Sequence, residues 1–137
     1  NGNSKVICVT RTICKDSTSK MVTINGGLII TPYHPIRLSG IWTFPIDNGN
    51  MNNRHCPIIY NYVLENDHIM IINGVECCTL GHHYDDNNVI RHSYYGTNAV
   101  IDDLKKSKTW DNGFVVINPN DTVRDSFTNM VCQINCE

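Results

Sequence analysis

Short apolar runs separated by polar turns occupy most of this chain, and the runs are rich in β-branched residues. In residues 5–14 (KVICVTRTIC) apolar and polar side chains alternate, which is typical of a strand with one buried face. Clusters of Asn, Gly, Ser and Pro separate the runs and predict turns. We therefore predict an all-β fold with strands at 5–14, 21–24, 28–31, 36–38, 41–45, 58–64, 69–72, 75–78, 114–117, 122–124 and 130–134.

The strongest local signal lies within residues 59–82 (IYNYVLENDHIMIINGVECCTLGH). Asn73-Gly74 stands between two apolar runs, a dipeptide that favours a two-residue hairpin turn. A plain hairpin explains the apolar residues but not the chemistry-bearing ones nearby, which are His68, Cys77, Cys78, His82 and His83.

One segment has helical spacing, and we predict a short helix near 98–107 with Thr97 as its N-cap. Residues 25–27 (NGG) predict a turn. Residues 47–55 are rich in Asn and have little apolar periodicity, so we predict an exposed loop there.

Composition excludes several classes of protein. The 137 residues suit one domain. A net charge of −2 gives no indication of binding to nucleic acid or to an anionic membrane. No apolar run approaches the ~18 residues of a membrane span. The seven cysteines are irregularly spaced without a CxxC, so we expect reduced thiols in an intracellular, cytoplasmic protein, with no cofactor and no bound metal.

Thr31 and His34 are the first candidates for chemistry. Pro32 and Pro35 restrict the backbone on both sides of Tyr33-His34, at the end of a strand. A histidine held rigidly beside a threonine hydroxyl can act as a proton donor of fixed orientation. The alternative is a turn whose histidine caps backbone groups.

Two blocks resemble the Hint superfamily, the hedgehog and intein autoprocessing domains. Residues 28–35 (LIITPYHP) resemble its Thr-x-x-His block, and residues 60–64 with His68 and 73–75 resemble its later hairpin block. The chain is most similar to the Vint variant, found with von Willebrand A domains and sometimes with ubiquitin-ligase modules. Its matching stretches are 31–36, 40–45, 60–82 with the Thr-Leu-Gly-His signature at 79–82, 92–97, 100–104 and 123–132. The resemblance implies one Hint domain over 1–137, a flat horseshoe of short antiparallel strands and hairpins.

The resemblance also implies an intein-type reaction on the protein's own backbone. In the family, a first-residue cysteine attacks the preceding carbonyl, an N–S acyl shift that turns an amide into a thioester, and the departing amine must be protonated. His34 would supply that proton, Thr31 would hold the geometry and His68 would polarise the site or transfer a proton. His82 of the Thr-Leu-Gly-His signature completes the predicted catalytic set.

The chain departs from the family pattern at two places. It opens with Asn1-Gly2-Asn3, without the expected Cys or Ser, and residues 5–12 resemble a strand that lies downstream of the nucleophile. We therefore expect a domain incomplete at its N-terminus, whose partners are flanking segments of its own precursor or another protein that completes the fold. Cys78-Thr79 replaces the terminal His-Asn pair, so cleavage or ligation at the upstream junction is predicted, without full splicing. Cys8 lies mid-strand and is expected in the core.

Three alternatives remain open. The first is a catalytically inactive Hint-fold module with a structural or protein-interaction role. The second is a metal site built from Cys and His side chains, although neighbouring cysteines point to opposite faces of a strand; its candidates are His55, Cys56, Cys77, Cys78, His82 and His83. The third is a thiol protease that pairs Cys77 or Cys78 with His82.

Overall fold

β-Strands form the framework of the computed structural model, which describes residues 4–24 and 26–136. Within this part of the chain the strands are β1 (Val6–Ile13), β2 (Thr18–Ile24), β3 (Leu28–Ile30), β4 (Ile36–Leu38), β5 (Ile41–Thr43), β6 (Asn50–His55), β7 (Ile58–Leu64), β8 (Ile69–Ile72), β9 (Val75–Cys78), β10 (Phe114–Ile117), β11 (Thr122–Arg124) and β12 (Val131–Ile134). One α-helix, α1 (Asn98–Leu104), and three 3₁₀ turns join them, at Lys15–Ser17, Pro45–Asp47 and Trp110–Asn112. The all-β prediction is confirmed. Asn25 of the predicted turn 25–27 and the opening Asn1-Gly2-Asn3 lie outside the described residues.

Four small sheets share these strands, in the orders β10-β1-β7, β3-β2-β6, β5-β4-β9-β8 and β11-β12. All described strand pairs are antiparallel except β1 with β10, which run parallel with Val9 opposite Phe114. β1 therefore stands between two strands that come from distant parts of the chain.

The predicted Asn-Gly hairpin is confirmed. β8 and β9 pair from Ile72 opposite Val75, and only Asn73 and Gly74 separate the two strands. Both turn residues have positive φ, 49° and 79°, as a type I′ turn requires. The polar residues 65–68 form a connection between two sheets, because β7 belongs to one sheet and β8 to another.

The predicted loop at 47–55 is wrong in most of its length. Asn50–His55 is strand β6, paired antiparallel with β2 from Thr18 opposite His55 to Thr23 opposite Asn50. β6 is an edge strand and all six of its residues are exposed. A strand with neither face buried needs no apolar alternation, so the backbone ladder forms where the sequence carries no periodic signal.

Helix α1 begins at the predicted cap and ends three residues early. The Thr97 hydroxyl accepts a hydrogen bond from the Ala99 N–H at 3.2 Å, and the last helical residue is Leu104. The Asp103 carboxylate accepts one hydrogen bond from the Tyr94 hydroxyl (2.7 Å) and one from the Ile134 N–H (3.1 Å). This side chain therefore ties the helix to β12.

Three groups of buried side chains form the core. The largest packs α1 against β1, β10 and β12 and contains fully buried Cys8, as predicted. Cys77 belongs to the second group and Cys78 to the third, so the neighbouring thiols point to opposite faces of β9. None of the helices in the described ranges is long and apolar enough to cross a membrane.

Candidate active site

A cleft with a volume of about 290 Å³ opens between β3, β7 and the β8-β9 hairpin. Its walls are mostly apolar, with a few polar side chains among them, which is the usual construction of a ligand or substrate site. The lining residues are Met21, Leu28, Ile29, Ile30, Thr31, His34, Ile58, Ile59, Tyr60, Asn61, Tyr62, Met70, Ile72, Cys77, Cys78 and Thr79. Two of the four predicted catalytic residues, Thr31 and His34, are among them.

The Thr-x-x-His segment is a tight turn after β3. The His34 N–H donates to the Thr31 carbonyl at 3.4 Å, and the His34 ring reaches across to β9, where Nε2 lies 2.8 Å from the Cys78 carbonyl oxygen. A carbonyl oxygen only accepts, so Nε2 carries the hydrogen and Nδ1 of the neutral ring keeps its lone pair. Burial lowers the pKa of His34, partly offset by the bond to Cys78, so the ring is neutral at pH 7.

Thr79 follows the carbonyl that His34 binds. Its N–H donates to the His68 carbonyl at 3.0 Å, while its own hydroxyl is buried without a hydrogen-bond partner among the described residues. A buried, unpartnered hydroxyl on the wall of a cleft is available to a bound group. Thr79 is not among the catalytic residues predicted from the sequence, although it begins the Thr-Leu-Gly-His signature.

His68 lies beside the cleft rather than in its lining. Pairing of Ile69 with Cys78 brings it next to β9, and its Nδ1 is buried without a partner among the described residues. Burial lowers the pKa of His68; the charge of His83 acts in the same direction and Asp67 opposes it.

His82 also lies outside the residues that line the cleft. Its Nδ1 accepts a hydrogen bond from the Tyr84 N–H at 2.8 Å, and its ring stacks on Tyr84 with centroids 5.2 Å apart. Its pKa is lowered to about 4, first by burial and then by the charges of the neighbouring imidazoles of His68, His83, His92 and His34. His82 is therefore a neutral, buried side chain that satisfies backbone.

His92 repeats this arrangement on the neighbouring turn. Its Nδ1 accepts from the N–H groups of Tyr94 (3.1 Å) and Tyr95 (2.9 Å), and burial lowers its pKa. Gly96 lets the His82 ring and the His92 backbone pack closely against it, because a Cβ there would lie 2.8 Å from the His92 carbonyl oxygen and 2.9 Å from Cε1 of His82.

Neither cysteine of the cleft is an activated nucleophile. Burial raises the pKa of Cys77 to about 11 and that of Cys78 to about 12, whereas a catalytic thiol needs a lowered pKa. The Cys77 thiol donates weakly to the Val75 carbonyl at 3.6 Å. The thiol-protease alternative therefore has no support. The metal-site alternative has none either, since residues 4–24 and 26–136 contain no group of three His, Cys, Asp or Glu side chains placed to hold an ion.

Short strands in small, mostly antiparallel sheets around a cleft lined by a Thr-x-x-His turn fit a Hint-type domain, the fold of self-processing proteins of the intein kind. The family model Vint, described as a Hint-domain, matches residues 1–133, and the chain therefore belongs to the Vint family of Hint domains. No curated protein matches the chain. The resemblance in the sequence is thus confirmed, whereas the roles of Thr31, His34, His68 and His82 stay predictions.

Proposed function

We propose that this domain catalyses an N–S acyl shift at a peptide junction that precedes it, followed by cleavage or ligation there. The observation that carries the proposal is the 2.8 Å hydrogen bond between His34 Nε2 and the Cys78 carbonyl. That bond fixes the tautomer and leaves Nδ1 as the available base of a residue in the lining of the cleft.

The reaction needs a cysteine from a segment that enters the cleft. Its thiol proton moves to His34 Nδ1 as its sulfur attacks the preceding carbonyl carbon, which gives a tetrahedral intermediate. The C–N bond then breaks and the nitrogen takes the same proton back from Nδ1. The products are a thioester and a free amine, with no net change in protons.

The lowered pKa of His34 suits both halves of this relay. At pH 7 the ring is neutral and able to accept a proton, and once protonated it is a stronger acid than an ordinary imidazolium. The leaving nitrogen is therefore protonated readily, which is the difficult step in breaking an amide.

The Thr79 hydroxyl is our candidate for stabilising the negative oxygen of the intermediate. It is a buried donor on the cleft wall without a partner in the described structure, one residue beyond the carbonyl that His34 holds. A donor already in place costs little to reorganise during the reaction. Thr31, at the start of the turn, positions His34.

The thioester is then opened by water or by an external nucleophile. Asparagine cyclisation is not part of the proposal, because Cys78 and Thr79 occupy the positions that match the terminal His-Asn pair of inteins. The proposed products are thus cleaved or ligated upstream segments, not a spliced chain.

The test is expression of the domain together with the coding sequence that precedes Asn1 in its gene. We expect dithiothreitol to release the upstream portion and leave a fragment that begins with cysteine, identified by intact mass and N-terminal sequencing. Replacing that cysteine by alanine should abolish the release. Absence of an encoded cysteine, or release that does not depend on thiol, would overturn the proposal.

A Hint-fold module without chemistry is the second candidate. The same His34 bond favours it, because the bond joins the turn after β3 to β9 and would stabilise the fold without any reaction. Under this alternative the native source contains no processed species, and His34→Ala lowers only the thermal stability.

A further inference from the structure

Two cysteines outside the cleft, Cys14 and Cys56, lie in neighbouring connections between strands. Cys14 follows β1, and Cys56 lies between β6 and β7, so each belongs to a connection between the first two sheets. The Cys14 N–H donates to the Pro57 carbonyl (2.9 Å), and the Cys56 N–H donates to the Ser17 carbonyl (2.7 Å). The two connections therefore run side by side, joined by backbone hydrogen bonds.

The two adjacent connections place the thiols near enough to influence each other. Burial raises the pKa of Cys14, and direct interaction with the Cys56 side chain raises it further. Their other contacts are weak sulfur bonds to backbone, from Cys14 to the Thr12 carbonyl at 4.0 Å and from Cys56 to the Ile58 carbonyl at 3.5 Å. Both side chains are half-buried, so a small oxidant can reach them.

We propose that Cys14 and Cys56 form an intramolecular disulfide when the protein meets an oxidised small-molecule disulfide such as glutathione disulfide. The disulfide would link the two connections between the sheets covalently. The inference does not depend on the proposed self-processing reaction, since neither residue lines the cleft.

The oxidation proceeds by two exchanges. One cysteine thiolate attacks a sulfur of the small disulfide, which gives a mixed disulfide and expels one small thiolate. The second cysteine thiolate attacks the protein-side sulfur and expels the other. The protein loses two electrons and two protons, and the small disulfide is reduced to two thiols.

The remaining cysteines provide the comparison. Cys8, Cys77 and Cys78 are buried, and Cys132 is exposed. Cys136 lies near enough to Cys8 for its charge to raise the pKa of that thiol, so these two form the competing pair.

The experiment incubates the full 137-residue chain with mixtures of oxidised and reduced glutathione and follows the intact mass. We expect a loss of two hydrogen atoms without added glutathione, faster at alkaline pH because the raised pKa of Cys14 keeps it protonated near neutrality. Digestion with trypsin, followed by a protease that cleaves after glutamate, should yield fragment 12–15 joined by a disulfide to fragment 55–65. Cleavage after Glu65 separates Cys56 from Cys77 and Cys78. The oxidised protein should melt about 10 °C higher than the reduced one.

Single variants distinguish this bond from the alternatives. Cys14→Ser and Cys56→Ser should each lose the cross-linked fragment, whereas the matched control Cys132→Ser should retain it. If a serine variant does not fold, alkylation of the unmodified chain before and after oxidation still decides which thiols are consumed. A Cys8–Cys136 bond, persistent glutathione adducts at position 14 or 56, or unchanged free thiols would each overturn the proposal.

Discussion

His34 and His82 carry the ring hydrogen on the same nitrogen, Nε2, but bind the backbone through different nitrogens. His34 Nε2 donates to a carbonyl, which leaves Nδ1 with a free lone pair in a residue of the cleft. His82 Nδ1 accepts from a backbone N–H, so the hydrogen is on Nε2 and the ring packs against Tyr84 and Gly96. Both rings are neutral because burial lowers their pKa, yet only His34 keeps a basic nitrogen unused. The nitrogen that binds the backbone, rather than the residue type or its pKa, therefore decides whether a lone pair or an N–H group of the ring stays free.

The largest effect should come from His34. In a chain that carries the upstream cysteine, His34→Gln keeps an N–H donor for the Cys78 carbonyl but has no base, so we expect cleavage to slow by about 10²–10⁴-fold. Thermal melting of His34→Gln should remain close to that of the unmodified protein, whereas His34→Ala should lose stability as well. Cleavage at an unchanged rate in His34→Gln would contradict proton transfer by His34 and favour the structural alternative.

Acid should destabilise the fold in part through His82, alongside His34, His68 and His92, whose pKa values burial also lowers. Its folded pKa of about 4 lies below the ordinary value of 6.5, so between these values the unfolded chain binds a proton that the folded chain does not. The contribution of His82 to stability is thus full above about pH 6.5 and is lost as the pH drops towards 4, by roughly 3 kcal/mol at ~1.4 kcal/mol per pKa unit. Urea unfolding at a series of pH values measures this slope. His82→Asn, which keeps an acceptor for the Tyr84 N–H, should flatten it, and an equally steep slope in the variant would assign the acid loss to other groups.

Gly96→Ala should destabilise the protein by about 2 kcal/mol through overpacking. The new Cβ meets the His92 carbonyl oxygen at 2.8 Å and Cε1 of His82 at 2.9 Å. Without a clash, Gly→Ala would favour the folded state, because alanine restricts the unfolded chain. A decrease in the free energy of unfolding would therefore be due to the clash. In a double-mutant cycle with His82→Ala, part of the loss should be recovered. Strict additivity would mean that the ring does not contribute to the clash.

Thr79→Val should give the smallest change, and its sign is opposite. Removing a buried hydroxyl that has no partner in the described structure should raise the free energy of unfolding by about 1 kcal/mol, because valine has nearly the same shape. Thr79→Ser is the control that keeps the hydroxyl. In the cleaving chain, valine should slow the reaction while serine preserves it. Lower stability in the valine variant would indicate that the hydroxyl is already satisfied in the folded protein.

The sequence predicted those features of the fold that depend on residues close together in the chain. Asn73-Gly74 and Thr97 predicted a turn and a helix cap because the groups they satisfy lie within a few residues. Strand β6 was missed because an exposed edge strand is specified by the backbone of its neighbour, β2, and not by its own side chains.

The site was predictable in part, for the same reason. Residues 31–34 were selected from local spacing as a rigid strand end, and they form a tight turn whose Thr31 and His34 line the cleft. The tautomer of His34 could not be predicted, because its partner carbonyl lies 44 positions along the chain. The unpartnered hydroxyl of Thr79 in the described structure and the proximity of Cys14 to Cys56 likewise depend on contacts between distant segments, so no sequence spacing predicts them.

The position of β1 between β7 and β10 has a consequence for how the domain is made. β1 is synthesised well before its parallel partner β10, which begins about a hundred residues later, roughly 5–20 s of synthesis. Pairings between such distant segments also fold slowly, because the loop entropy must be lost before the contacts form. The first sheet therefore cannot be completed until nearly the whole domain has been translated, so a nascent chain holds β1 with an open edge for most of its synthesis.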